Sequence, residues 1–449
     1  MMRTTGFTTH AGRGFRLRKA SARLAIARRA KAITSRRAGR EGPPGVGCKT
    51  GSPPIRARCR VLLVLALWPL AVASLEGQAE HVHPPDSATS TWTWSWDARV
   101  FGGWNYQRRK FRDFQRIESQ NWFMGGGERQ VLGGPLRLHA MVSLEPFTVQ
   151  PLGSPQVFQT GETYRQAPLI DYQHPHDLFM GLSMIWARPL GSTRMFAELA
   201  PVGAPAIGPP VFMHRPSAAE NPAAPLGHHQ MDATHITHGV VTAGVERSGF
   251  MLEGSWFRGA EPDENRKDID FGSLDSYSGR LSWRGRGWDA QFSAAHLTTP
   301  EWTHPFADVT RLTASVGFSQ ADGRLAALAV WGQNREIHGT LDAYLLEATL
   351  RPHPQHAWYS RVELTTKDIL NAGGRHPAGI LHYHPLSRVG VLTGGYVFDA
   401  VQYMRGSFGI GGDVSVYRVP SNLSDSYGAP VSFHLFFRYR PIGVRSHVH

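Results

Sequence analysis

The stretch SYSGRLSWR, residues 276–284, decides the fold. Its odd positions are Tyr277, Gly279, Leu281 and Trp283; its even positions are Ser276, Ser278, Arg280, Ser282 and Arg284. A period of two sends alternate side chains to opposite faces of a strand, so one face here is apolar and the other polar. The same split recurs at 311–318, where Leu312, Ala314, Val316 and Phe318 oppose Arg311, Thr313, Ser315 and Gly317. It recurs again at 404–417 and at 431–440, where Val431, Phe433, Leu435, Phe437 and Tyr439 share one face.

Working outward, such segments fall at 94–106, 118–127, 133–146, 177–188, 193–201, 236–246, 249–258, 275–285, 287–298, 309–319, 324–335, 341–351, 356–366, 388–399, 404–418 and 431–440. That makes sixteen, most of them nine to thirteen residues long. A tilted strand needs about nine to eleven residues to cross the hydrocarbon layer, whereas strands of soluble sheets average about five or six. The connections alternate in length: about ten then five, thirty then four, thirty-four then two, sixteen then one, ten then four, five then four, twenty-one then four, and finally twelve. Asp322-Gly323, Arg247-Ser248 and the RGRG of 284–287 suit tight reversals. The expectation is an all-β chain: a closed antiparallel transmembrane barrel of about sixteen strands, with short periplasmic turns on one rim and long extracellular loops on the other.

Charge is unevenly placed. Residues 1–60 carry 16 Lys and Arg against the single acid Glu41, and the rest of the chain holds 32 basic and 34 acidic residues. The formal charge of +13 therefore belongs to the opening segment, and no nucleic-acid partner is expected. The apolar run VLLVLALWPLAVAS, 61–74, follows Arg56, Arg58 and Arg60 and ends in Ala71-Val72-Ala73. Fourteen residues rise about 21 Å as a helix, short of the roughly 30 Å hydrocarbon core, so the run reads as a secretory signal. The expected organisation is a basic N-terminal extension over 1–59, which a start codon assigned too early would explain, and a signal peptide over 60–79. A periplasmic segment at 80–93, the barrel at 94–440 and a short tail at 441–449 complete it. Cys48 and Cys59 both precede the expected cleavage site, which excludes disulfides, thiolate metal sites and cysteine nucleophiles from the mature chain.

Over 90–440 the layout is similar to bacterial outer-membrane channel and transporter barrels. QTGETYRQAPLIDYQHPHDLFM (159–180) and FMHRPSAAENPAAPLGHHQMDATHITHG (212–239) resemble, more narrowly, a poorly characterised family of barrels with an HPHD-containing loop, loosely associated with metal-related gene neighbourhoods. The resemblance implies an outer-membrane location, outer-membrane lipid and the barrel-assembly machinery as partners, and a small solute or metal ion as cargo. One departure is the tail PIGVRSHVH (441–449), since such barrels usually end on an aromatic residue.

The residues that carry chemistry lie in the long connections. One contains His174, His176 and Asp177; the next contains His214, His228, His229 and Asp232, with His235 and His238 at or inside the following strand. His235 and His238 differ by an odd number, so on a continuous strand at most one faces the lumen. A third connection is acidic from Glu261 to Asp270, and a later one holds His376, His382 and His384. Imidazole and carboxylate ligands without thiols suit zinc, copper(II) or nickel, and Met213 and Met231 would add affinity for copper(I). One reading is that these loops fold into the mouth and bind Zn or Cu; the other is that their side chains cross-link the loops by hydrogen bonds and plug the pore without any ligand. The expected pore lining is Glu246, Glu253, Arg280, Arg284, Arg311, Glu347, Arg361, Glu363, Arg405, Asp413 and Arg438, of both signs. Outward Trp256, Trp283, Trp358 and Tyr439 are expected to form interfacial girdles. No serine sits in a recognisable nucleophile motif, so no enzyme activity is expected. The function expected is a channel or pore-type transporter for small polar solutes, linked to transition-metal handling, with a non-transporting metal-binding surface barrel as the alternative.

Overall fold

The structure, a computed structural model, describes residues 91–304, 306–337, 339–370, 385–403 and 406–441. The leader with its cysteines, His376, His382, His384, Arg405 and the tail from 442 lie outside the described residues.

The strands are β1 (Thr93–Arg109), β2 (Arg112–Glu118), β3 (Asn121–Val131), β4 (Gly134–Val142), β5 (Ser154–Tyr164), β6 (Ala167–Gln173), β7 (Phe179–Leu190), β8 (Thr193–Gly203), β9 (Thr237–Arg247) and β10 (Phe250–Phe257). They continue as β11 (Ser276–Gly285), β12 (Trp288–Leu297), β13 (Val309–Ser319), β14 (Leu325–Glu336), β15 (Gly339–His353), β16 (His356–Lys367), β17 (Ser387–Tyr403), β18 (Gly406–Arg418) and β19 (Val431–Pro441). All except β5 and β6 belong to one antiparallel sheet of 17 strands. The first half of β1 pairs with β3 (Val100 opposite Asn121) and the second half with β2 (Gly103 opposite Glu118). β2 and β3 are thus one strand interrupted at Ser119 and Gln120, which gives sixteen positions around the sheet. Pairing of β1 with β19, from Val100 opposite Tyr439 to Arg108 opposite Val431, closes the ring. Closure leaves no unpaired edge, the condition under which strands can cross a bilayer.

All sixteen expected segments are present. The first two run further than the pattern suggested, and their connection shrinks from about ten residues to Lys110 and Phe111. The turns at Leu132-Gly133, Ser248-Gly249 and Arg286-Gly287 have positive φ at both residues, the backbone that matches the twist of flanking strands in a two-residue hairpin.

Alternation sorts the side chains as expected. Trp256, Tyr277, Leu281, Phe292, Leu346, Val362, Ile410 and Leu435 face outward, each about half or more exposed. Such a continuous apolar belt is unfavourable in water and belongs in hydrocarbon. No helix among the described residues is long and apolar enough to cross a membrane, so the strands make the crossing. The interior is filled with buried polar groups, including Arg311, Glu347, Arg361 and Arg438.

Candidate functional site

The chain between β8 and β9 folds inward and crosses the lumen. The Ala206 N–H donates to Ser255 Oγ on β10 (2.8 Å) and the Gly208 N–H to Ser293 Oγ on β12 (2.9 Å). Further round the wall, Asn334 Nδ2 donates to the His229 carbonyl (3.0 Å), Thr349 Oγ1 to the Ser217 carbonyl (2.8 Å) and Arg361 Nη1 to the Ala223 carbonyl (2.8 Å). Glu220 reaches the far side, where it is ion-paired with Arg99 (3.1 Å), Arg351 and Arg438. A long loop carries many backbone polar groups, and burying it requires such partners. Gly332 on β14 makes close packing possible, because a Cβ there would strike the Gln230 carbonyl of the helical turn His228–Met231. The chain between β4 and β7 also turns inward, placing the β5–β6 hairpin against β1: Asn105 Nδ2 donates to the Pro155 carbonyl (2.8 Å) and Arg109 pairs with Asp171 (2.9 Å).

These two inserted loops bring the histidines together in two nests. In the first, His228 Nδ1 bonds Asp232 Oδ1 (2.7 Å), His235 Nδ1 bonds the Asp232 carbonyl (3.0 Å) and His176 Nδ1 bonds Glu145 Oε2 (2.9 Å). The His235 ring lies 5.3 Å from that of His228 and 5.4 Å from that of His176, centroid to centroid. The Nε2 atoms of His176 and His235 are buried without hydrogen-bond partners among the described residues. Asp232 is fixed in turn by Arg215 (2.8 Å), which also binds Glu347 on the wall (2.8 Å). Burial pushes His228 down to about 4, outweighing the pull of Asp232, and moves His235 in the same direction. Both imidazoles are neutral at pH 7, the form that binds metal. An imidazole whose Nδ1 is held by an acid or carbonyl and whose Nε2 is free has the second-shell support found in metal sites. The cavity beside this nest, about 40 Å³ and lined by Trp122, Glu145, His174, His176, Phe212 and Met213, has room for about three waters.

The second nest is acidic. His174 Nε2 lies 2.9 Å from Glu162, whose other oxygen pairs with Arg266. His229 Nδ1 lies 3.5 Å from Glu261 and 3.6 Å from Glu301. Burial opposes protonation of His229, but the two carboxylates outweigh it and lift the group to about 9.

Of the other expected ligands, Asp177 faces Arg266 (3.4 Å), and the His214 ring packs at a tilt against Trp122, 4.7 Å between centroids. His238 Nδ1 accepts from the Asp270 N–H (2.9 Å). His235 occupies a 3-10 turn ahead of β9, so the strand-parity argument does not apply to it. Met231 packs among Leu328, Val330, Ala343 and Leu345, an apolar setting rather than a ligand position, while Met213 lies in a separate apolar cluster. Glu145, Glu162 and Glu301 were not picked out from the sequence: Glu145 fell within the expected strand 133–146, and Glu162 and Glu301 are isolated acids in connections of the long-loop rim.

The expected lining residues among those described sit on the inward side of their strands, but most are covered by the inserted loops. Glu253, Arg311, Glu347, Arg361, Glu363, Asp413 and Arg438 are all buried. Glu253 pairs with Arg280 (2.9 Å), Glu347 with Arg361 (3.2 Å) and Asp413 with His434 (2.8 Å). Glu246, paired with Arg194, and Arg284 are the more exposed ones.

No protein-family model and no curated protein matches the chain. Among solved structures it is similar to an anion-selective porin from Comamonas acidovorans, at 10% identity over 78% of this chain and 100% of that one, with a TM-score of 0.43. It is also similar to OprB of Pseudomonas putida (10% identity, 78% and 94% covered, TM-score 0.49) and to the outer membrane channel DcaP of Acinetobacter baumannii (9%, 78% and 98%, 0.46). The barrel assignment rests on the closed strand ladder itself.

Proposed function

We propose that the chain is an outer-membrane pore for small polar solutes whose inward loops hold a transition metal at the His176–His228–His235 nest. One observation carries this reading: beside its apolar clusters, the lumen is packed with acidic and basic side chains and with loops held by hydrogen bonds and ion pairs. A sheet of sixteen positions is wide enough for an aqueous passage, and a mixed-charge interior suits polar cargo. The imidazole donor set favours zinc or copper(II).

Purified barrel in planar bilayers is expected to conduct in discrete steps. Glu220→Gln is expected to raise the conductance several-fold, because it weakens the ion pairs that hold the β8–β9 loop across the lumen. The density of loop packing favours a second reading, a non-transporting barrel that sequesters metal. A complete lack of conductance in both proteins would leave only that one. Calorimetric titration of Zn²⁺ into wild type and a His176→Ala, His235→Ala double variant tests the nest, where about a tenfold or greater loss of affinity is expected.

A further inference from the structure

His229, Glu261 and Glu301 come from three different connections: β8–β9, β10–β11 and β12–β13. Their ligand atoms nevertheless all lie within 4.8 Å of one another. His229 is 4% exposed and Glu261 7%. At 3.5 and 3.6 Å, the separations from His229 Nδ1 to the two carboxylates exceed hydrogen-bond length. Neither oxygen of Glu261 has a hydrogen-bond partner among the described residues, and neither does His229 Nδ1. A buried carboxylate with both oxygens unserved is costly, and its neighbours would be expected to close in on it. The spacing has a ready meaning. Ligand atoms bonded at about 2.1 Å in tetrahedral geometry stand about 3.4 Å from one another, close to what is seen here.

The imidazole is also aimed. A Cβ on Gly161, in the β5–β6 hairpin, would overlap the His229 ring at Nε2, so the ring lies against bare backbone on that side and turns Nδ1 toward the acids. Gly161 has φ +149°, a backbone that glycine adopts without strain. Arg311 and Glu336 on the wall and His304, Lys367 and Asp368 nearby complete the charged surroundings of Glu301. Glu301 is the least buried of the three.

We infer that His229, Glu261 and Glu301 form a second cation site, chemically distinct from the histidine nest, for a divalent first-row ion. Two carboxylates neutralise a double charge, and one imidazole shifts the preference from magnesium or calcium toward manganese or zinc. Three protein ligands leave a fourth position for water or an exchangeable ligand. The inference deepens the metal-handling reading and adds ligands that the histidines alone did not indicate.

The test uses the full barrel purified in detergent, titrated calorimetrically with MnCl₂ and separately with ZnCl₂. A Glu261→Gln, Glu301→Gln double variant is expected to lose Mn²⁺ binding and one equivalent of Zn²⁺, whereas His176→Ala, His235→Ala retains Mn²⁺ binding. Heat-modifiable gel migration of each variant confirms that the barrel is closed. Anomalous diffraction from Mn²⁺-soaked wild-type crystals is expected to show a peak between the three side chains. Wild type that binds Zn²⁺ with the same affinity and stoichiometry as the glutamine variant would overturn this site and leave the histidine nest standing. Wild type that binds neither ion would overturn both.

Discussion

His228 and His229 are adjacent in sequence, and their rings lie 5.6 Å apart, yet they enter opposite electrostatic worlds. His228 shares the carboxylate of Asp232 with Arg215, and burial keeps it neutral at about 4. His229 faces two carboxylates, neither bonded to an arginine among the described residues, and it is lifted to about 9. Residue type does not decide the state of an imidazole; what decides it is whether the nearby acids have already been neutralised. One helical turn thus carries a neutral, nitrogen-rich nest on one side and a charged, oxygen-rich one on the other.

The contrast breaks most severely at Asp232. Asp232→Ala removes the group that orients His228 and leaves part of the buried Arg215 unpaired, at a cost of about 3–5 kcal/mol. Hydrogen exchange should show loss of protection across 204–236, with the strand ladder unchanged. Titration comes next. Between the ordinary histidine value of 6.5 and about 4, the undocked loop binds a proton that docked His228 refuses, so docking weakens as pH falls through that window. His229 acts oppositely: its contribution is complete below 6.5 and is lost as pH rises toward about 9. Each amounts to up to about 3 kcal/mol. Protease resistance of the inserted loops in metal-free protein should therefore peak near pH 6.5, and a flat profile would show that the two nests do not differ. Gly161→Ala is expected to cost about 1–3 kcal/mol and to weaken Mn²⁺ binding while sparing the histidine nest, measured by calorimetry. The smallest effect is expected at Met231→Leu, below about 1.5 kcal/mol in thermal unfolding and without effect on copper affinity, because that side chain packs among aliphatic residues.

The barrel was legible because its signal is local and repeated. Tyr277, Leu281 and Trp283 against Ser276, Arg280 and Arg284 state the two faces of β11 without reference to anything else, and fifteen other segments repeat the pattern. The nests were not legible in the same way. His176 and Glu145 are 31 residues apart, and His229, Glu261 and Glu301 lie on three loops, so no spacing rule connects them. The histidines and Asp232 could be named as candidates from their density. That the loops fold inward was among the sequence expectations; the contacts that hold them there, such as Gly332 beneath Gln230, only the folded barrel provides.

Glu220 binds Arg99 on β1 and Arg438 on β19, the two strands that meet where the ribbon of chain closes on itself. Slipping that junction by one residue would turn every side chain of the moving strand to the other face. A single carboxylate gripping both margins from within therefore acts as a clasp. It fixes the stagger at which the cylinder closes, and with it the diameter of whatever passage the loops leave free.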